Sequence, residues 1–408
     1  MTVPSKMRIA SGAPYWLMRN GLFEPPERPL PSRADVLIVG AGITGALLAD
    51  ALVREGREVV VLERHAPAEG STGVSTALLQ YELDVELGSL ADRVGIDQAV
   101  RAYRRCAEAI DDLAALAASL GDGCDFQRVT SVYLASRRRD AKRLRHEAEL
   151  RQAHGFDVRP LTRRELAARY DLPGAAALET PHAAQVDPVA LTRRLLNRAV
   201  AAGAIVCPRT ALLEWQDEGA RCRVMTTRGQ CMARFVVFAT GYELPPKVPN
   251  GAVALHSTYA FVTQPGPYPG PLGRGAVFWE TARPYTYMRT TVDGRVLVGG
   301  MDVPFRHADG RDALLPVRVR ALETRAARLL GIESLERAFA WAGTFAATPD
   351  GLPYIGRLPG EGRAFAALGY GGNGIVFSTI AAELISAQVE GRRHPDQSLF
   401  HFDRARRT

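Results

Sequence analysis

A chain of 408 residues is too long for one ordinary compact core, so two or three domains are expected. The composition, 47% hydrophobic and 23% charged with no low-complexity tract, is that of a globular protein and excludes a disordered or fibrous chain. The net charge of +7 comes from 51 basic residues spread beside 44 acidic ones, clustered only at 137–139 and 404–407 as solvated helix faces or tails, so no nucleic-acid partner is expected.

Residues 1–33 read as an irregular N-terminal arm, because Pro25, Pro26, Pro29 and Pro31 fix extended backbone. Residues 35–39 are a short apolar run of β-branched character, suited to a buried parallel strand. A glycine turn follows, then a helix over 46–54 and a strand over 59–62, making one βαβ unit. Residues 97–120 and 137–153, dense in Ala, Leu, Arg and Glu, predict helices on either side of a strand over 131–135. Asp187-Pro188 has the form of a helix start, with Asp as N-cap and Pro at the first helical position; that helix runs to about Ala202. Alternation over 204–234 predicts short antiparallel strands, and the buried run 235–239 delivers Ala239-Thr240-Gly241. The Pro- and Gly-rich stretch 244–275 marks a boundary, with a strand of the next domain starting near His256 and Tyr259. Residues 285–289 and 295–298, joined by Asp293-Gly294, predict a hairpin. A strand over 364–368, a glycine loop and an apolar helix over 375–389 follow, and no internal repeat is present.

The turn Gly40-Ala41-Gly42-Ile43-Thr44-Gly45 leaves a strand and opens a helix. Gly40 permits the tight turn, Gly42 lets the backbone approach a pyrophosphate, and Gly45 allows close helix–strand packing. The helix N-terminus offers free N–H groups and partial positive charge to phosphates. Glu63 lies 18 residues beyond Gly45, at the end of the second strand, placed to accept hydrogen bonds from ribose hydroxyls. This much predicts a dinucleotide. Later segments point to FAD: the small-residue loop Gly70-Ser71-Thr72-Gly73-Val74-Ser75-Thr76, a second backbone turn at Gly241, and Gly369-Tyr370-Gly371-Gly372-Asn373-Gly374 before an apolar helix. A helix N-terminus aimed at the N1/O2 edge of the flavin would stabilise the anionic reduced ring. Cys106, Cys124, Cys207, Cys222 and Cys231 form no metal spacing and read as structural thiols of a reducing compartment. The histidines are scattered without ligand spacing, so no metal is expected. No apolar run reaches the roughly 20 residues of a membrane span, and none serves as a signal peptide; the expectation is a cytoplasmic protein without an integral membrane segment.

Residues 36–45 with Glu63, Gln185-Val186-Asp187-Pro188, Ala239-Thr240-Gly241, Asp293-Gly294-Arg295, Thr348-Pro349-Asp350-Gly351-Leu352-Pro353-Tyr354-Ile355-Gly356 and the loop 369–374 stand in a specific order and spacing. With them the chain resembles the superfamily of FAD enzymes that holds D-amino-acid oxidase, glycine oxidase and sarcosine oxidase. The Tyr15-Trp16 arm is similar to that of the gamma-glutamylputrescine oxidoreductase branch. The resemblance implies an α/β fold: a discontinuous Rossmann-like FAD-binding domain from 34–90, 186–250 and 336–395, an α+β substrate domain with a large mixed sheet from 91–185 and 251–335, and a tail at 396–408. It carries cofactor contacts onto Gly40, Gly42, Ile43, Thr44, Gly45, Glu63, Arg64, Ser71, Thr72, Ser75, Thr76, Val206, Ala239, Thr240, Gly241, Gly343, Gly369, Gly371, Gly372, Asn373, Gly374 and Ile375. The implied chemistry is hydride transfer from the carbon beside an amine nitrogen to flavin N5, giving an imine that hydrolyses; the partner is a small amine or amino acid. In such enzymes the flavin does the hard step and the protein supplies position and electrostatics.

Departures from the family pattern are informative. The sarcosine oxidase branch bonds FAD to a cysteine five residues before the Thr-Pro-Asp threonine; Gly343 stands there, implying non-covalent FAD. A lysine used by that branch in activating oxygen is replaced by Leu297, as it is also absent from glycine oxidase-type enzymes. The usual Ser-Gly-Arg-Asn stretch is replaced by Val74-Ser75-Thr76-Ala77-Leu78-Leu79-Gln80. For substrate, Tyr285, Tyr287 and Arg289 share one face of a strand, and two phenols with a guanidinium would clamp a carboxylate. His256 and Tyr259 are expected on the same cavity, with Tyr370 and Asn373 facing flavin or substrate, and Trp279 and Trp341 either lining it or packing the core. Two other functions fit the same cofactor. A hydroxy-acid or glycerol-3-phosphate type dehydrogenase needs a base, for which His256 is the candidate; a non-catalytic flavin-bound subunit needs an apolar patch at the flavin entrance.

Overall fold

The computed structural model describes residues 10–121, 123–245, 247–248, 251–268 and 275–406. Two sheets organise them. The eight-stranded sheet runs in the order Tyr354–Arg357, Ala364–Leu368, Gly229–Phe238, Arg33–Val39, Val59–Leu62 and Ile205–Cys207. Leu212–Asp217 and Cys222–Thr226 extend it as an antiparallel ribbon. The strands from Ala364–Leu368 to Ile205–Cys207 are parallel, which explains their continuous apolar runs, since both faces are covered. Val36 and Ile38 pack beneath the helices Ile43–Arg54 and Gly374–Val389, whereas Leu37, on the other face, packs with Trp215 and Val224 of the ribbon.

The second sheet has ten strands and is mixed. Its order is Ala10–Gly12, Arg337–Ala347, Ala254–Thr263, Val296–Pro304, Thr286–Thr290, Ala276–Glu280, Gln127–Leu134, Ala176–Gln185 and Leu78–Gln80, with Arg159–Thr162 also on Ala176–Gln185. Within this sheet, among the described residues, only Ala276–Glu280 with Gln127–Leu134 is a parallel pair. One face packs on the helix Ala308–Leu330, through Tyr259, Phe261 and Val298 against Val319 and Leu322. The opposite face carries Ala260, Val262, Leu297 and Trp341 toward Val74 and the arm residues Tyr15 and Trp16.

The expected helix start is real: Asp187 caps Val189 and Ala190, and the helix is Pro188–Ala201. The hairpin also forms, with Tyr287 opposite Gly299. Other segments differ. The arm is ordered locally, since Ala10–Gly12 pairs with Arg337–Ala347 and Tyr15–Asn20 is a helix. Leu78–Gln80 and Arg337–Ala347, expected among the dinucleotide-binding stretches, join the ten-stranded sheet because their pairing partners lie there. Conversely Ile96–Ser119, expected with the substrate domain, shares a core with Ile43–Arg54 and Gly374–Val389. The tail is docked, with Phe400 fully buried and its carbonyl bonded to the N–H of Ile355. No described helix is long and apolar enough to cross a membrane, and no cluster of metal-ligating side chains occurs among the described residues.

Candidate active site

The glycine turn sits where two strands end side by side. A Cβ on Gly40 would lie 2.4 Å from the Ala239 carbonyl oxygen, and one on Gly45 would lie 1.9 Å from that of Gly40. Both glycines are therefore needed for the packing itself. Gly42 differs: a Cβ there would meet only the Thr72 hydroxyl, at 3.0 Å. That open side faces the start of the helix Ile43–Arg54, whose N-cap Gly42 offers no side-chain cap. The Thr72 hydroxyl accepts from the Ile43 N–H at 2.9 Å, and the buried Ser71 hydroxyl beside Gly241 has no partner. An uncapped helix start with an orphaned buried hydroxyl is what an anionic group would complete. The Glu63 carboxylate accepts from Ala41 N–H and His65 N–H, each at 2.9 Å, and so is held at the strand end. The cradle thus fits the pyrophosphate and ribose of a dinucleotide.

The other expected cofactor residues fall around this cradle with different roles. Arg64 is paired with Glu243 through two hydrogen bonds of 2.5 and 2.7 Å, and the Thr240 hydroxyl is spent on the Glu243 carbonyl. Val206 and Ile375 are core side chains. Gly343 lies in the large sheet opposite Thr258, where a Cβ would meet Val74 at 3.1 Å. The helix Gly374–Val389 begins without a side-chain cap, so its N-terminus remains available to a ligand. Thr44 and Ser378 hydroxyls bond at 2.7 Å where the two helix starts meet.

The segment 74–77 is fastened by three side chains. Trp341 donates to the Val74 carbonyl at 2.9 Å, Trp16 to that of Ser75 at 2.8 Å, and Arg289 to that of Ala77 at 2.8 Å. Arg289 also donates to the Val186 carbonyl at 3.2 Å and stacks on the Trp16 ring, with 5.0 Å from its guanidinium carbon to the ring centroid. It is buried, and burial lowers its pKa to about 10. These bonds hold Arg289 on the wall of the cradle rather than free in the recess, and only its Nε is left buried without a partner. Trp341 and Trp279 are likewise fastening residues, Trp279 stacking on Tyr133 and donating to Ser131. Leu297 packs in the apolar cluster with Trp16 and Trp341.

Tyr285 and Tyr287 do lie together, ring centroids 5.6 Å apart, and they face a group that the sequence did not announce. Asp302, Asp84, Tyr242, Thr258 and Thr76 share their surroundings. These residues are partly accessible and Asp84 is exposed, as residues around an open recess are. Burial pushes all three phenols up. It also raises Asp302 to about 6, with the Thr258 hydroxyl opposing and the charge of Asp84 adding to the shift. Asp84 is raised by burial and partly restored by the Gly372 N–H, which it accepts at 2.7 Å. Neither carboxylate makes an ion pair with a described residue, and Oδ1 of Asp302 is buried without a hydrogen bond.

The other expected residues divide between the two faces of the large sheet and the glycine loop. Tyr370 is buried against Phe377 with Thr44 and Ser378 around its phenol, so it stands beneath the helix starts, near Tyr242, and its oxygen has no hydrogen-bond partner. Asn373 donates to the carbonyls of Gln80 and Glu82 at 2.8 and 2.9 Å, tying the glycine loop down. Tyr259 points to the opposite face of the sheet, in the core with the helix Ala308–Leu330. His256 lies on the cavity side near Asp84 but stacks on Phe345, 5.3 Å between ring centroids. Tyr287 lies across Gly299, where a Cβ would sit 2.4 Å from its ring and hydroxyl. Gly299→Ala must therefore push the phenol aside. Steady-state kinetics and thermal melting of this variant should show kcat/KM down by about ten- to a hundredfold, with stability changed by only about 1 kcal/mol.

Comparisons with known proteins identify the family and the fold. Residues 35–388 match the family described as FAD dependent oxidoreductase. The chain is 24% identical over 406 residues to YhfW of Bacillus subtilis, covering 97% of this chain and 77% of that protein. It is 24% identical over 364 residues to a glycine oxidase of Bacillus licheniformis, covering 88% and 94%. The solved glycine oxidase from Geobacillus kaustophilus superposes with a TM-score of 0.78 at 24% identity, over 91% of this chain and 98% of that one, a likeness of fold.

Proposed function

The chain belongs to the family of FAD-dependent oxidoreductases, and from that premise we propose that it oxidises a carbon–nitrogen bond of a small amine or amino acid, with FAD held non-covalently. The observation that carries the reading is the cluster of Tyr242, Tyr285, Tyr287, Asp84 and Asp302, which meets the wall of the cradle where Tyr287 bonds Thr76. A hydroxy acid or phosphate ester would bring its anion against two carboxylates, whereas an amine nitrogen finds acceptors. The histidine that alcohol chemistry would use as a base, His256, is stacked on Phe345. Bound FAD supplies the two-electron acceptor for the hydride leaving the carbon next to nitrogen, and water hydrolyses the resulting imine to a carbonyl compound and an amine. The protein's own part is placement: Gly299 seats Tyr287, Asp84 holds the glycine loop through Gly372, and the fastened segment 74–77 closes one wall. Non-covalent attachment is supported by the five cysteines, all buried, and by Gly343 at the position a linking residue would occupy. The exposed large apolar side chains Met18, Leu22, Ile96, Leu213, Val292, Leu314 and Val317 all lie outside the cavity cluster, which favours a catalyst over an electron-relaying subunit.

Product analysis tests the reading. Turnover of a panel of amines, amino acids and hydroxy acids with a dye acceptor should yield carbonyl compound and released amine from amino substrates only. Conversion of hydroxy acids alone would refute it, and repeating the active case in air distinguishes oxidase from dehydrogenase.

A further inference from the structure

The amino-acid reading expects a cation for the substrate carboxylate, and the site presents the opposite charge. Arg289, on the right face of the right strand, is tied by both terminal nitrogens to the Ala77 and Val186 carbonyls, with only Nε unpartnered. Arg283 stands at the edge, 5.0 Å over the Tyr285 ring, and its N–H groups go to the carbonyls of Ala282 and Asp84 at 3.1 and 3.4 Å. Asp302 and Asp84 have no ion pair among the described residues, and the Asp302 Oδ1 is a buried acceptor without a donor. Two phenol rings 5.6 Å apart stand next to that acceptor. A buried carboxylate oxygen lacking a donor, walled by aromatic rings, is complementary to an ammonium group, which offers hydrogen bonds to the oxygen and positive charge to the ring faces.

Resting on the amine reading above, we propose that the substrate is an amine bound as its cation, with the ammonium group held by Asp302 between Tyr285 and Tyr287 and losing one proton to solvent before the hydride leaves the adjacent carbon, and that a substrate carboxylate is not what the enzyme recognises. The groups facing Asp302 are Asp84 from the loop before the helix Leu87–Val94, Thr258 from the strand Ala254–Thr263, Tyr285 and Tyr287 from the hairpin, and Arg283 from its approach. Asp84 opposes a second negative charge beside Asp302 and Arg283 favours one; the Thr258 and Tyr285 hydroxyls donate to the carboxylate, yet its Oδ1 still lacks a donor. A cation supplies one.

The test compares butylammonium with butyrate, the same chain with opposite charge, binding to the flavin-loaded enzyme by calorimetry and by perturbation of the flavin spectrum. Butylammonium should bind, and its affinity should fall by about ten- to a hundredfold in Asp302→Asn. In the unsubstituted enzyme its affinity should rise as pH increases through about 6 and fall below it, as the carboxyl gains and loses its charge. This pH arm keeps the proposal testable if the variant loses its flavin. Butyrate binding as tight as butylammonium, or ammonium affinity indifferent to both Asp302→Asn and pH, overturns the proposal. If amino substrates are nevertheless oxidised, the function stands and only the mode of recognition fails. If hydroxy acids alone are oxidised, the function itself falls.

Discussion

Gly45→Ala is expected to give a colourless protein with a lowered melting temperature. The added methyl group would lie 1.9 Å from the Gly40 carbonyl oxygen and 3.0 Å from its carbon, both backbone atoms that cannot rotate away. The helix Ile43–Arg54 must then lift from the strand Arg33–Val39, which disturbs the core around Ile38 and withdraws the helix start from the cofactor. Overpacking of this kind costs about 1–3 kcal/mol of stability or more, and FAD affinity should drop by at least about a hundredfold. Gly42→Ala separates the two effects. Its methyl group meets only the Thr72 hydroxyl at 3.0 Å, so the fold should survive while a pyrophosphate loses its approach. Flavin content after gel filtration and thermal melting of the apoprotein check both variants. A yellow Gly45→Ala protein would contradict the cradle geometry.

Arg289→Met should destabilise the protein by about 2–4 kcal/mol and deplete its flavin. The substitution leaves the buried carbonyls of Ala77 and Val186 without donors, at about 1–3 kcal/mol for each. Relief of the burial that lowers Arg289 to about 10 offsets part of that cost. At neutral pH the guanidinium remains charged, so no pH dependence from this group is expected there. Denaturant melts and the KM of the residual holoenzyme decide between roles. A wall-fastening residue lowers stability and flavin content with KM nearly unchanged. A carboxylate clamp would raise KM steeply with the melting point preserved.

Local physics made much of this legible. The strands Val59–Leu62 and Ala364–Leu368 are read from their apolar runs because both faces are buried, and Pro188–Ala201 is read from the capping geometry of Asp187. The hairpin turn at Asp293-Gly294 gives the register that seats Tyr287 on Gly299. What stayed hidden depends on long-range pairing. Alternation correctly puts Arg289 on the face of Tyr287, but two residues along a strand is about 7 Å, enough to carry it from the cavity to the segment 74–77. Asp84 and Asp302 are distant in sequence and show no spacing signal; strand order alone brings them together. Tyr370 lies within the glycine loop, and the backbone bridge from it to Ala347 sets its ring beneath the helix starts. The helix Ala308–Leu330 contains Pro316, a residue that argues against a helix interior when read locally.

The most direct measurement of the central claim is an anaerobic titration of the purified protein, following its flavin absorbance, with amines, amino acids and hydroxy acids. The cradle and cavity described here predict a yellow protein that releases FAD on acid denaturation and is bleached by amino compounds. A protein that holds no FAD, or one bleached by hydroxy acids and untouched by amines, would contradict it.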